Sequence, residues 1–344
     1  MSESTPMVAE YDVVMLDLDG VVYLGAEPVV HAADVLDDLR SQGVRLAFVT
    51  NNASRPPDDV VKRLASVGVD AAVEDVVTSA QAVARLVAEQ LPTGASVLLI
   101  GGDGLRQALV RSGLQVVTDA RSRPEAVVQG FSDELDWAAL AEGAYAIRGG
   151  VPWFASNTDL TLPTARGHAP GNGAFVAALE AATGERPVVA GKPEPALFHE
   201  TMLRVGGTKP IVVGDRLDTD IEGANRIGAD SAFVLTGVSD LAGIAKAGPN
   251  LRPTYVVPDL RALMRRAPRV FRDDEWYVCG RMRVRVDDGR VVPADAPDAS
   301  SDGSYDAYDD ATGVLQAALA ACEGADNDVL DVSAAASAVG DLVR

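Results

Sequence analysis

Cysteine, histidine and aromatic residues are scarce in this chain of 344 residues: two cysteines, three histidines and 5% aromatics. Cys279 and Cys322 lie far apart and match no redox or metal-ligand spacing, which excludes a disulfide framework and a cysteine-built zinc site. His31, His168 and His199 likewise share no ligand spacing and read as structural or surface residues. Positive charge is also short, with 30 Lys and Arg against 50 Asp and Glu and a net charge of −20. Nucleic acid and anionic membranes need basic patches, so neither is expected as a partner. No apolar run approaches the roughly 20 residues of a membrane span. The opening Met-Ser-Glu-Ser-Thr-Pro-Met has neither the basic start nor the apolar core of a signal peptide, so a cytoplasmic, reducing setting is expected.

Apolar residues make up 47% of the sequence and are rich in Ala and Val, which suits an α/β protein with ample core. The length exceeds one average domain, so two domains or one domain carrying a large insertion is expected. The organising stretch is Asp12 to Leu24. Val13, Val14, Met15 and Leu16 form a short buried-strand run, and Asp17, Asp19 and Gly20 follow at once. In extended chain, Asp17 and Asp19 project from one face at the carboxyl end of the strand, where open parallel sheets bind ligands. Two like charges so close need a cation or a shared proton. A calcium loop of the EF-hand type does not fit, because Val21, Val22 and Leu24 stand where further oxygen ligands should continue.

Strand and helix then alternate. His31 to Ser41 carries Ala33, Val35, Leu36 and Leu39 at helical spacing, with Gly43 placed as its stop. Val44 to Val49 is a second buried strand running into Thr50, Asn51 and Asn52, and a helix over 58–67 begins after Pro56 and Pro57. Further strands are predicted at 95–100, 114–117, 126–131, 151–155, 188–190, 211–213, 231–235 and 255–257, separated by helices. Gly101-Gly102-Asp103-Gly104 lacks the spacing of a dinucleotide loop and reads as a tight turn. Polar clusters follow four strands: Asp17 with Asp19, Thr50 with Asn51, Lys192, and Asp215 with Asp220. Parallel strands with right-handed crossovers bring such ends to one edge, which predicts a single site. Taken alone, Lys192 reads as a surface lysine, Thr50-Asn51-Asn52 as a cap or turn, and Asp218 and Asp220 as helix-dipole acids. Their order along the chain is what gives them meaning together.

Asp17-Leu18-Asp19-Gly20-Val21, Thr50-Asn51-Asn52, Lys192-Pro193 and Gly214-Asp215-Arg216-Leu217-Asp218-Thr219-Asp220 resemble the four ordered motifs of the haloacid dehalogenase-like phosphatases. The long interval between the second and third motifs is similar to the branch with a C2-type cap, which includes 4-nitrophenyl, phosphoglycolate and glycerol 3-phosphate phosphatases. Gly171-Asn172-Gly173 and Asn157-Thr158-Asp159 also look like family positions. The resemblance implies a doubly wound, Rossmann-like parallel core over 1–81 and 186–265, an α/β cap over 82–185 inserted between those motifs, and an extension over 266–344 outside the family pattern. It also implies Asp17 as nucleophile, Asp19 as general acid and base, and Thr50, Asn51, Asn52 and Lys192 as phosphate-binding groups. Mg²⁺ would lie on Asp17, Asp215 and the Asp19 carbonyl, with Asp220 outside the first set of ligands. The chemistry agrees, since a phosphate monoester needs a nucleophile, a proton donor and neutralised charge.

The expected substrate is a small phosphorylated metabolite such as glycerol 3-phosphate or phosphoglycolate, with 4-nitrophenyl phosphate as surrogate. Nucleotide and pyridoxal phosphates stay open, and so does phosphotransfer to an acceptor other than water. A signalling receiver domain is a poor match, because Asp215 comes after Lys192 and a large insertion intervenes. His168 sits late in the insertion, within possible reach of substrate.

The extension reads as short, acidic and α+β. Trp276 to Val284 alternates like a strand, Asp287-Asp288-Gly289 suits a hairpin turn, and 294–310 is rich in aspartate without a base, which predicts a solvated linker. Helices are predicted over 314–322 and 330–343. Docking on the core is the expectation, with self-association as a homo-oligomer the alternative. No glycine-rich acyl-CoA loop is present.

Overall fold

The computed structural model describes residues 5–164, 166–295, 306–325 and 329–343. Contacts divide the chain into two compact units: Met1–Leu24 with Pro28–Leu46 and Gly207–Arg344, and Gly25–Glu27 with Ala47–Gly206.

In the first unit, Val13–Leu16, Pro210–Gly214, Asp230–Val234 and Tyr255–Val257 are parallel strands, with Val13 opposite Pro210, Gly214 opposite Phe233 and Ala232 opposite Tyr255. Val13, Val14, Met15 and Leu16 are wholly buried, as expected for a strand apolar on both faces. The helix Ala32–Ser41 buries Ala32, Val35, Leu36 and Leu39, and Gly43 just after it has φ of +79°, which glycine adopts without the clash of a Cβ.

The extension belongs to this unit. Val270–Asp273, Trp276–Cys279, Met282–Asp287 and Arg290–Asp295 form a four-stranded antiparallel sheet, followed by helices Ala307–Glu323 and Ser333–Val343. The single strand expected over 276–284 is two, because the chain reverses at Gly280, where φ is +60°. The hairpin after Asp287 is present, with Asp288 and Gly289 both left-handed. One buried cluster joins Val284, Val291, Val314, Leu315 and Leu319 of the extension to Ile221, Phe233, Leu241, Ile244 and Val256. Gln316 Oε1 accepts the Val256 amide at 3.0 Å and its Nε2 donates to the Thr254 carbonyl at 2.9 Å, so a side chain occupies the open edge of that strand. The expected solvated linker over 294–310 is corrected at its end. Residues 307–310 open a helix, with the Tyr308 hydroxyl donating to the Asp259 carbonyl at 3.0 Å and Arg281 paired with Asp310. The stretch 296–305 lies outside the described residues. The cause is pairing: Arg261 and Arg265 stack on Tyr308, and Arg265 reaches Asp306 at 2.8 Å, so aspartates that look solvated in sequence have cationic partners brought from elsewhere.

In the second unit, Val188–Val189, Trp153–Ala155, Ala126–Gln129, Ser96–Ile100 and Gln115–Val117 form a five-stranded parallel sheet in that spatial order. Leu98, Ile100, Val127, Ile147, Trp153, Val176 and Leu179 are part of its core. Thr161–Thr164 and Gly167–Pro170 form an antiparallel pair with Pro163 opposite His168. The strand Arg45–Thr50, within which the division falls, pairs in parallel with Val76–Thr78, Thr50 opposite Thr78. The Gly101–Gly104 turn starts the helix Asp103–Arg111, and a Cβ on Gly104 would stand 2.7 Å from the Ala53 carbonyl. Close packing against the 53–55 loop accounts for that glycine. His31, His168 and His199 are exposed.

Candidate active site

The acidic half of the candidate residues lies in the first unit. Asp17 follows the end of its strand and donates its amide to Val213 O at 2.9 Å. Asp215 follows Gly214 at the end of the neighbouring strand and is fully buried. Asp17, Asp215 and the buried Asp220 each bring one carboxylate oxygen within 4.8 Å of the others. Three carboxylates so close repel strongly, and a hard divalent cation relieves them.

The surroundings are cut to fit Asp215. The Val238 amide donates to its Oδ2 at 2.7 Å, and a Cβ on Gly20 would stand 2.5 Å from its Cγ. Gly237 presses on the same carboxylate so closely that a methyl group there would overlap it, and Gly214 leaves similar room for Asp220. Gly20 also has φ of +92°, and its carbonyl accepts the Thr236 hydroxyl at 2.6 Å. This oxygen-only donor set in a cradle built on glycines fits Mg²⁺. Asp220 accepts the Arg216 amide at 3.2 Å within a wide turn over Leu217–Ile221. Asp218 takes the Arg216 guanidinium at 2.8 Å; burial raises its carboxyl, and the hydrogen bond and positive charge of Arg216 together with a backbone hydrogen bond outweigh it, holding the group below the ordinary range. The Asp19 side chain is exposed and outside the three-carboxylate group.

The amide-rich half of the candidate residues lies in the second unit. Thr50 ends its strand, and its hydroxyl oxygen accepts the Asn52 amide at 3.1 Å. Asn51 was expected to offer its side-chain amide to phosphate, yet that group is engaged within the fold. Its Nδ2 donates to Asp159 Oδ2 and to the Lys192 carbonyl, both at 3.1 Å, and its Oδ1 accepts the Lys192 amide at 2.7 Å. Asn51 thus grips both polar groups of the Lys192 backbone. Its own carbonyl accepts Ser79 Oγ at 2.5 Å and Asn157 Nδ2 at 2.7 Å. Asn52 Oδ1 caps the Ser54 amide at 2.9 Å. Lys192 is 4% exposed and its Nζ donates to the Val49 carbonyl at 3.2 Å. The peptide bond between Lys192 and Pro193 is cis.

Reading the sequence missed Ser79, Thr236, Gly237 and Val238. None carries a motif, and two of them act through the backbone. Asn157, Asp159 and Asn172 stand in the quoted family positions, and Asn172 Nδ2 ties them together by donating to the Asn157 carbonyl at 2.6 Å. Among the described residues, no helix is long and apolar enough to cross a membrane.

Comparison with known proteins identifies the family. Residues 14–115 match the profile of haloacid dehalogenase-like hydrolases and residues 189–263 a second, HAD-hydrolase-like profile. The D-glycerol 3-phosphate phosphatase of Mycobacterium tuberculosis is 51% identical over 254 residues, 74% of this chain and 71% of that protein. The acid sugar phosphatase of Staphylococcus aureus is 37% identical over 253 residues, 73% of this chain and 96% of that protein. Among solved structures, the M. tuberculosis glycerol phosphate phosphatase in complex with magnesium superposes with a TM-score of 0.85 at 40% identity over 99% of both chains. The 4-nitrophenylphosphatase of Thermotoga maritima gives 0.70 at 29% identity over 76% of this chain and 98% of that one. The chain therefore belongs to the haloacid dehalogenase-like hydrolases, among relatives that are phosphatases.

Proposed function

We propose that the protein is a Mg²⁺-dependent phosphatase of small organic phosphate monoesters, with glycerol 3-phosphate the favoured substrate and phosphoglycolate next. The observation that carries the reading is the approach of Asp17, Asp215 and Asp220 within 4.8 Å beside a strand end. The 51% identity to a D-glycerol 3-phosphate phosphatase supports the choice of substrate.

In this reading an Asp17 carboxylate oxygen attacks phosphorus, and the bond from phosphorus to the ester oxygen breaks. Asp19 gives its proton to the departing alkoxide, which leaves as the alcohol. The Asp19 carboxylate then takes a proton from water as that water attacks the aspartyl phosphate, releasing inorganic phosphate and restoring both groups. The exposure of Asp19 suits a group that meets both leaving group and water. Lys192 supplies positive charge and Thr50 a hydroxyl to the phosphoryl oxygens. Asn51 acts as a positioning residue for Lys192, and Asn52 as a loop donor. Mg²⁺, held by Asp17, Asp215 and the Asp19 carbonyl and steadied by Asp220, supplies neutralisation of the phosphate charge. The reading requires both halves to act on one phosphoryl group.

We assign 82–185 the role of a cap that selects the leaving group, because the remaining motifs recognise only phosphate. The cytoplasm is the setting in which such a metabolite and two reduced cysteines coexist. The test is phosphate release from a panel of glycerol 3-phosphate, phosphoglycolate, nucleoside monophosphates and pyridoxal phosphate with Mg²⁺. Highest turnover efficiency on glycerol 3-phosphate supports the proposal. Release from none of them, or phosphate appearing on an added alcohol in place of water, overturns it.

A further inference from the structure

Away from the catalytic residues, the second unit holds a cleft of about 440 Å³ between the helices Ser79–Gln90, Asp103–Arg111 and Pro195–Val205. Its lining is unusual for a chain of net charge −20, because three arginines, Arg85, Arg111 and Arg204, meet there. Glu200, 1% exposed, lies among them and is held by Nε of both Arg85 and Arg204. One buried carboxylate therefore fixes two guanidinium groups through their inner nitrogens. Among the described residues their outer nitrogens stay available, apart from the approach of Glu89 to 3.9 Å from Arg85 Nη1. Among the described residues Arg111 pairs marginally, with Asp58 at 4.0 Å. Gln81 also lines the cleft and is 9% exposed. Its Oε1 accepts the Thr78 amide at 2.8 Å and hydroxyl at 3.3 Å, which directs the amide nitrogen away from that cap as a further donor.

Donors dominate this cleft, and three arginines face two glutamates, so its chemistry asks for an anion. Guanidinium forks pair with the two oxygens of a phosphate or carboxylate, and holding them in advance lowers the entropy lost on binding. We propose that the cleft binds a small oxyanion, a phosphate- or carboxylate-bearing metabolite, between Arg85 and Arg204. Such a ligand fastens the Ser79–Gln90 helix to the Pro195–Val205 helix. Ser79 holds the Asn51 carbonyl, and the second helix begins three residues after Lys192. The ligand is thus a brace behind the amide-rich half of the candidate residues, though its binding does not depend on any catalytic role for that half.

Soaking crystals of the full-length protein in sodium tungstate tests this. Tungstate is expected in the cleft within hydrogen-bond reach of Arg85 and Arg204. It is expected to be lost from the cleft in Arg85→Gln/Glu200→Gln/Arg204→Gln, a variant that leaves no buried carboxylate unpaired and whose basal turnover is unchanged. Calorimetric titration at low ionic strength with sodium sulfate and sodium succinate then separates the two ligand sources. Tighter sulfate binding marks a phosphate group and tighter succinate binding a carboxylate. Arg204→Lys keeps the charge and the pairing of Glu200 but removes the fork, and is expected to weaken the better probe about tenfold. Absence of tungstate from the cleft, undiminished density in the triple variant, or titrations unchanged by Arg204→Lys would overturn the proposal.

Discussion

The acidic and amide-rich halves of the candidate residues are made by opposite means. Around Asp215 the protein removes atoms: Gly20 and Gly237 stand where any Cβ would meet the carboxylate, and the hydrogen bond that fixes it comes from the Val238 backbone. Around Lys192 the protein adds atoms, with Asn51, Ser79, Asn157 and Asp159 linked in one hydrogen-bonded set. A metal site needs room for a cation and its waters, so bulk is excluded. A fixed ammonium needs its backbone held, so polar contacts are multiplied. Damage to the first half should therefore appear as lost metal affinity, and damage to the second as lost turnover with the metal still bound.

The largest expected effect falls on Asp17. Asp17→Asn is expected to lower turnover by about ten-thousandfold or more, as removal of a nucleophile does, with the melting profile nearly unchanged; steady-state phosphate release beside calorimetry checks both. Chelation of divalent metal should silence the wild-type enzyme equally and reversibly, and activity persisting in metal-free buffer would remove the cation from the account. Next comes Asn51→Asp, which sets a carboxylate against Asp159 and the Lys192 carbonyl. A loss in kcat of about a hundredfold is expected, in line with misplacement of a catalytic group by about 1 Å, with the Mg²⁺ dependence retained. Gly237→Ala should do the reverse, raising the Mg²⁺ concentration for half-maximal activity about tenfold to a hundredfold while kcat at saturating metal recovers. If both variants changed the same parameter, the contrast between the halves would fail.

The smallest effect lies away from the site, in the extension. Burial pushes the Cys279 thiol up to about 11. Because the folded state disfavours the thiolate, this contribution to stability is fully present below the ordinary thiol value of 9.0 and is lost as pH rises toward 11. At pH 8 a thiol reagent should react with Cys279 only after denaturant is added.

The sequence pattern carried the parallel strands well, because runs such as Val13–Leu16 are apolar on both faces and are followed by polar residues with little other use. It also gave the order of Asp17, Thr50, Lys192 and Asp215. The arrangement around Asn51 was not legible, since an amide can serve a ligand or its own fold and only the positions of Asp159 and Lys192 decide between them. Gly237 was silent for a related reason: a glycine that makes room does not announce its neighbour. The extension misled at 307–310, where Tyr308 and Asp310 find Asp259, Arg261 and Arg281 through contacts distant in sequence. Local composition measures charge but not who neutralises it.

The central claim, that both halves act on one phosphoryl group, is tested most directly by a crystal structure of the protein with Mg²⁺ and beryllium fluoride, a mimic of the phosphorylated aspartate. The fluoride group is expected on Asp17, the metal on Asp17 and Asp215, and Lys192 Nζ and the Thr50 hydroxyl both within hydrogen-bond distance of the fluorines. A fluoride group on Asp17 with Lys192 and Thr50 out of reach, or on another residue, would contradict it.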